Sequence, residues 1–391
     1  MEEELSVGRP TEIFICKEEV DALVLLRYKW KDIAAHLDCS ERTLRRWRIQ
    51  LDYSSPLCDL ENQQLDEKVY NVLNGHERVG VGLLHAQFHS EGIKVSRERI
   101  RESARRVDPD GRELRLELFM KKYSRRIWHN CGVHGSWHID ANLKCKWWGQ
   151  IVLSSAVDGD TSLIAFLKVL TNMERVGPFR FFLEACDEYG VCPGLTRTDE
   201  GKENGAIGRF MKRFRGEHAH REGSSIYNCT VERLWKQDSV NVMWFYKRIF
   251  KKLEKDGLDS NNPWHIFCLH YMFLARIQED LDRFRHAHNN SLIRTKGRKT
   301  PLQLVYEGRH EFPPPIDIDA DTFRDFLEDE FGTTTVEKMQ RGVAMRPRCC
   351  PLSDEQYVEF AAAFPRLTMH DLRDTLVPKF NEALGFLERF L

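Results

Sequence analysis

Three carboxylates stand out by position rather than by type. Asp140 closes the β-like run "SWHID", Asp199 closes "GLTRTD", and Glu232 lies near the start of the helical stretch "CTVERLWKQ". Ligands of open α/β sheets gather at the carboxyl ends of strands, so two such runs lying side by side bring the aspartates together. Three hard oxygen donors suit Mg2+ or Mn2+ better than metals that seek thiolate or imidazole. Two such ions can activate an attacking oxygen and stabilise a leaving one during displacement at phosphorus. Taken one at a time, each acid is equally readable as an exposed surface carboxylate. Glu200 and Glu203, which flank Asp199, read as residues that orient its loop, and Asp158 reads as a structural turn residue. His138 precedes Asp140 by two positions and shares its side of an extended strand, which fits a packing or supporting role.

The elements that must position these acids follow from periodicity. Three β-like runs, Trp137–Ala141, Gln150–Val157 and Leu163–Leu170, are bounded by turn residues. A helix over Phe179–Tyr189 and the short run "GLTRT" come next, then helices over Ile207–Arg215, Cys229–Leu253 and His265–His288. Strands followed by alternating strand and helix predict an α/β domain with a mixed sheet. Trp147, Trp148, Trp235 and Trp244 read as core residues of that domain.

Ahead of it, residues 17–53 contain three helix-sized segments. Trp30, Ile33, Ala34 and Leu37 share one face, Ser40 stands at an N-cap position, and Leu44, Trp47 and Leu51 form the next apolar stripe. Arg42, Arg45, Arg46 and Arg48 occupy the other faces, the pattern of a helix-turn-helix whose last helix offers arginines to DNA. A small helical bundle with a basic surface is the alternative. "VGVGLLHAQFHSEGI" followed by "KVSRERIRESARRV" repeats the grammar, with Ser96 as the cap. His85 and His89 are four apart but have no cysteine pair at zinc-finger spacing, so they read as ordinary helix residues. A connecting helix is expected over 108–126.

Charge is divided unevenly. Residues 311–391 hold 16 Asp and Glu against 9 Lys and Arg, a balance of −7, whereas the whole chain of 391 residues carries −1 and its first 310 therefore about +6. Basic clusters at 42–48, 121–126, 209–215 and 294–299 precede the acidic tail, a distribution that suits a polyanion partner. Lys202, Arg209, Lys212, Arg213 and Arg215 follow the second acid, and Arg233 adjoins the third; beside an active site they would contact phosphates. Eleven scattered cysteines without C-x-x-C spacing fit reduced thiols inside a cell. The acidic start "MEEELSVGRP" shows no secretory signal, and no apolar run approaches the ~20 residues of a membrane span.

The acids lie 58 and 32 intervening residues apart. With "WHID", "AVDGDTSLI", "TRTDEGKEN", "NCTVERLW" and "RFRHAHNNSLIRTKGRKTPLQLVYEG" in this order, the chain from Ser136 to Gly308 resembles the integrase core domain of the retroviral integrase and DDE-transposase superfamily. The second gap is slightly shorter than the family's usual spacing. The His-His-Cys-Cys zinc module of retroviral integrases is missing, and the tandem helix-turn-helix region stands in its place, so the resemblance is closest to eukaryotic proteins related to mobile elements.

The resemblance implies an RNase H-like fold in which Asp140, Asp199 and Glu232 hold two Mg2+ or Mn2+ ions for DNA strand cleavage and strand transfer. It also implies a DNA partner, a homo-oligomer and, through the DNA substrate, the nucleus. The expected organisation is a helix-turn-helix module over 1–56 and a second such module with a connecting helix over 57–126. A catalytic core over 127–310 follows, and then an acidic helical domain over 311–391 that is open to a protein partner. A host-adapted DNA-binding protein that keeps the fold without catalysis, and a nuclease of the same fold without strand transfer, are the competing readings.

Overall fold

All eight residues of Ile151–Asp158 are buried, a pattern that requires a strand covered on both faces. This strand is β2 of a sheet formed with β1 (Ser136–Cys145), β3 (Ile164–Leu170), β4 (Leu195–Thr198) and β5 (His220–Glu222). The computed structural model describes residues 16–50, 60–74, 76, 79–109, 111, 132–149, 151–172, 174–199, 201–223, 229–340 and 350–390. They divide into two compact units, Met1–Asp59 and Leu60–Leu391.

The first unit has three helices, α1 (Lys17–Leu25), α2 (Trp30–His36) and α3 (Glu41–Gln50). Val20, Leu23, Ile33, Ala34 and Leu44 are buried. Ser40 caps α3, its Oγ accepting the Thr43 N–H at 3.0 Å, which satisfies one of the donors a helix start leaves open. Leu51, expected to extend the apolar stripe, lies outside the described residues.

The second unit begins with α4 (Asn62–Leu73), α5 (Val81–Ser90) and α6 (Arg97–Val107), which bury Leu65, Val69, Phe88 and Ile100 together. The Ser96 side chain accepts the Arg99 N–H at the start of α6. The connecting helix expected over 108–126 falls almost wholly outside the described residues.

Sheet order is β3-β2-β1-β4-β5. The first three strands run antiparallel to one another, β4 lies parallel to β1, and β5 parallel to β4. Helices α7 (Val176–Tyr189) and α8 (Gly205–Phe214) cover one face, packing Phe179, Phe182, Phe210 and Met211 with Trp137 and Ile139 of β1. Helices α9 (Cys229–Asp238), α10 (Trp244–Lys255) and α11 (Pro263–Asn289) bury Leu153, Val157 and Leu167 on the other. The helix expected over Cys229–Leu253 is thus two helices, separated by a π-helical segment at Ser239–Met243, a form of local widening that interrupts the regular hydrogen-bond ladder. The Asn-rich end of α11 has a defined task. Asn289 accepts from the Ile164 N–H at 2.9 Å and donates to the Ile164 carbonyl at 3.1 Å, so its amide stands in for a further strand beside β3.

The remaining helices are α12 (Pro301–Glu307), α13 (Ala320–Phe331), α14 (Thr333–Gln340), α15 (Asp354–Ala363) and α16 (Arg373–Leu387). Helix α13 inserts Phe326 among Phe179, Phe210 and Phe214, with ring centroids 5.5–5.8 Å away. Phe360 of α15 and Phe380 of α16 meet Phe267 and Phe273 of α11. Among the described residues, no helix is long and apolar enough to cross a membrane.

Candidate active site

Strand register decides which acids can meet. Across the parallel β1–β4 pair, Ser136 faces Leu195, Trp137 faces Thr196 and His138 faces Arg197. Two more steps along the same offset put Asp140 level with Asp199, just past the last residue of β4. Side chains alternate along a strand. Trp137 and Ile139 therefore enter the α7–α8 layer, while His138 and Asp140 project toward the face that carries α9. Arg197 and Asp199 project with them. The sheet thus brings the first two sequence-selected carboxylates together.

Their electrostatics agree with that placement. Burial pushes the Asp140 carboxyl up to about 6, and the negative charges of Asp199 and Glu203 push the same way. Two hydrogen bonds pull against this shift. Asp140 Oδ2 accepts the Trp235 Nε1–H at 2.7 Å and Oδ1 accepts the Ala141 N–H at 2.8 Å. Asp199 has a buried Oδ1 with no hydrogen-bond partner among the described residues. A buried carboxylate oxygen left unpaired is costly, and a hard divalent cation is the ligand such an oxygen suits.

Glu203 is closer to this pair than sequence reasoning placed it. It lies in the one-turn 3-10 segment Lys202–Asn204 and is only 8% exposed. Its carboxyl is raised by burial and by the charge of Asp199. The carboxylate folds over Gly201, where an added Cβ would stand 2.5 Å from Oε1. Glycine at 201 is what leaves room for that posture.

Glu232 stands on α9, half-buried, one turn before Trp235. The Trp235 bond holds this helix against β1, but the carboxylate set is not closed. Among the described residues, no group of three or more His, Cys, Asp or Glu side chains is gathered to hold a metal. Asp140 and Asp199 therefore fit one edge of a divalent-cation site by donor chemistry, and Glu232 is positioned nearby without completing it. Residues 224–228, which lead into α9, lie outside the described residues.

The basic residues expected to meet DNA divide into two groups. Lys202 and Arg233 are exposed, as are Arg42, Arg45 and Arg46 in the first unit, where Arg48 instead lies over the Trp30 ring at 4.7 Å. On α8, intramolecular partners engage the others. Arg209 forms a two-pronged pair with Glu330, which also meets Arg175 at 3.6 Å. Arg213 lies 3.5 Å from Asp329, and Lys212 lies 3.7 Å from Glu217. Arg215 donates to the carbonyls of Cys192 and Pro314. The acidic tail therefore answers the charge of Arg209 and Arg213.

The tryptophans are a partial correction. Trp148 and Trp235 are buried as expected, but Trp147 is 70% exposed and Trp244 is 37% exposed. Trp148 and Trp147 are neighbours at the end of a strand, where sequence alternation does not say which indole turns inward.

A mixed sheet of order 3-2-1-4-5, flanked by helices, with Asp140 on one of two adjacent parallel strands and Asp199 just past the end of the other, is an RNase H-like core. Residues 127–312 match the family model described as an integrase core domain. No curated protein matches the chain significantly.

Proposed function

We propose that the core is a metal-dependent polynucleotidyl transferase that cleaves and joins DNA strands. The observation that carries this reading is the β1–β4 register, which extended by two steps sets Asp140 of β1 level with Asp199 just past β4, together with a buried Asp199 oxygen that has no hydrogen-bond partner among the described residues. Asp140, Asp199 and Glu232 would hold Mg2+ or Mn2+. The bound ions would supply charge stabilisation at the phosphorus and an activated attacking oxygen. Trp235 orients the Asp140 carboxylate and keeps one lone pair directed away from solvent. Lys202 and Arg233 would take phosphates beside the acids, and Arg42, Arg45, Arg46 and Arg48 would contact DNA from the first unit. Arg209, Lys212, Arg213 and Arg215 would join the DNA surface where it borders α8. Self-association, nuclear residence and a protein partner for the acidic region are part of the same proposal.

A second reading has its own support. The exposed Arg42, Arg45 and Arg46 of the first unit fit a DNA-binding protein that retains the fold without turnover. One experiment separates the two. Supercoiled plasmid and labelled end duplexes are incubated with the full chain in Mn2+ or EDTA, beside Asp199→Asn. Metal-dependent nicking or joining that the substitution abolishes is the expected result. Salt-sensitive binding without any cleavage by the wild-type chain selects the second reading.

A further inference from the structure

The surface at the far end of β1 is built differently from the rest of the sheet edge. The β1–β2 hairpin turns through Lys146, Trp147, Trp148 and Gly149. Trp148 is the anchor. Its ring lies 5.4 Å from that of Phe250, and its Nε1–H donates to Glu254 Oε1 at 2.9 Å, both on α10. Its carbonyl pairs with His270 Nε2 at 3.1 Å on α11. The neighbouring Trp147 is consequently held outward, 70% exposed, with the Lys146 ammonium 5.1 Å from its ring centroid.

Helix α10, which grips this hairpin, has two unlike faces. Phe245, Tyr246, Ile249, Phe250 and Leu253 are buried. Arg248, Lys251, Lys252 and Lys255 are exposed at helical spacing, so they form one basic stripe. Lys251, Lys252 and Lys255, together with Lys144 and Lys146 of the hairpin, have no carboxylate partner among the described residues. The acid within the stripe, Glu254, is engaged by Trp148. A lysine-rich helix face is usually just solvated, but an exposed indole fixed beside it is not explained by solubility.

We infer that this hairpin and the α10 stripe form a DNA-tracking surface, in which lysines take backbone phosphates and Trp147 stacks an unpaired base. Aromatic faces combined with a cationic groove are how single strands are held without sequence selection. The hairpin lies on the same strand as Asp140. Cys145 lies five residue steps beyond Asp140 on β1, about 17 Å at ~3.3 Å per residue. That spans about five nucleotide steps of a duplex at 3.4 Å per strand. A duplex end whose strand is cut at Asp140 and Asp199 would therefore present an unpaired extension to Trp147. The inference rests on the proposed DNA reaction and adds a binding subsite to it.

The test is fluorescence anisotropy of the full chain on a labelled duplex, blunt or carrying a single-stranded extension, over a salt series. The triple variant Lys251→Gln/Lys252→Gln/Lys255→Gln should flatten the slope of log affinity against log salt by about 3, for both duplexes. Trp147→Ala should weaken the extended duplex about 5- to 100-fold and leave the blunt one and the slope unchanged. Trp147→Phe should restore most of that loss, and matched thermal melting establishes that the variants fold. An unchanged slope in the triple variant, or equal loss on both duplexes in Trp147→Ala, overturns the inference. So does a larger Trp147 effect on single-stranded RNA than on DNA. Cleavage is scored in parallel: a wild-type chain that nicks DNA with no slope change in the variant sinks the surface alone. Binding with the predicted slope change but no nicking sinks the enzymatic reading alone.

Discussion

The Trp235 indole donates to Asp140 Oδ2 across 2.7 Å, tying the helix that carries Glu232 to the strand that carries the first aspartate. That bond favours the charged carboxylate against burial, which drives Asp140 up to about 6. Trp235→Phe keeps an aromatic ring, smaller than the indole, and removes the donor. The Asp140 carboxyl should then rise further, and divalent-cation affinity should fall about 10- to 100-fold, the usual consequence of losing a group that orients a ligand. Mn2+ binding followed by electron paramagnetic resonance measures this without reference to turnover. Unchanged Mn2+ affinity would show that the indole packs without orienting the acid.

Asp158 and His134 make opposite contributions to the pH dependence of stability. Burial raises the Asp158 carboxyl to about 6, against bonds from the Thr161 N–H and hydroxyl. The folded state therefore holds this proton more tightly than the unfolded state, so its contribution is full below about pH 4 and is lost as pH rises through about 6. Burial lowers His134 to about 4, and its Nδ1 accepts the Trp137 indole N–H at 3.0 Å. Its contribution is full above about pH 6.5 and is lost as pH falls toward 4. The two largely offset one another in the wild-type chain. Asp158→Asn removes one of them, so the variant's stability relative to wild type should climb by up to about 3 kcal/mol between pH 4 and 7. Denaturant unfolding at several pH values reads this directly, and a parallel pair of profiles would refute it.

Gly149 is where the hairpin crosses α11. Its φ is +67°, and an added Cβ would stand 2.4 Å from Ile266 Cγ2 and 2.6 Å from His270 Nε2. Gly149→Ala combines a left-handed backbone penalty with overpacking and should cost roughly 2–5 kcal/mol. Gly190 has a similar φ of +62° but open space around it, so Gly190→Ala should cost only about 1–2 kcal/mol. Thermal melting of the two variants side by side separates steric crowding from backbone strain.

The legibility of these features in the sequence follows the range of the interactions behind them. The Ser40 and Ser96 caps and the run ending at Asp199 are local signals that identify where elements start and stop, whereas β1 continues past Asp140 to Cys145, a length set by its pairing with β2 and not by the run "SWHID". β5 escapes because "HRE" has neither apolar alternation nor length; it exists only because β4 offers it an edge. The division between α9 and α10 escapes because both halves share helical periodicity, so the α10 basic stripe is diluted within one long predicted helix. The engagement of Arg209 by Glu330 spans 121 residues, and nothing near either residue announces it. Trp147 and Trp148 differ only in which one meets Phe250 and Glu254, a tertiary choice.

Phe326 is 2% exposed among aromatic rings of α7 and α8, and Phe326→Ala should cost about 3–5 kcal/mol by opening a cavity. Glu330 lies on the same helix, 10% exposed, between Arg209 and Arg175, whose side chains are about half exposed. Solvent screening of those arginines limits the stability cost of Glu330→Gln to about 1 kcal/mol. Its larger effect should be on charge. Releasing Arg209 and Arg175 from a carboxylate returns one guanidinium to α8 and one to the start of α7, so DNA affinity should rise and its salt slope should steepen by about 1–2. A salt series on Glu330→Gln and Phe326→Ala distinguishes the outcomes: steeper dependence in Glu330→Gln means the acidic helix competes with phosphate for α8. A slope identical to wild type means these arginines serve only to hold α13, through an aromatic clamp that Phe326 dominates.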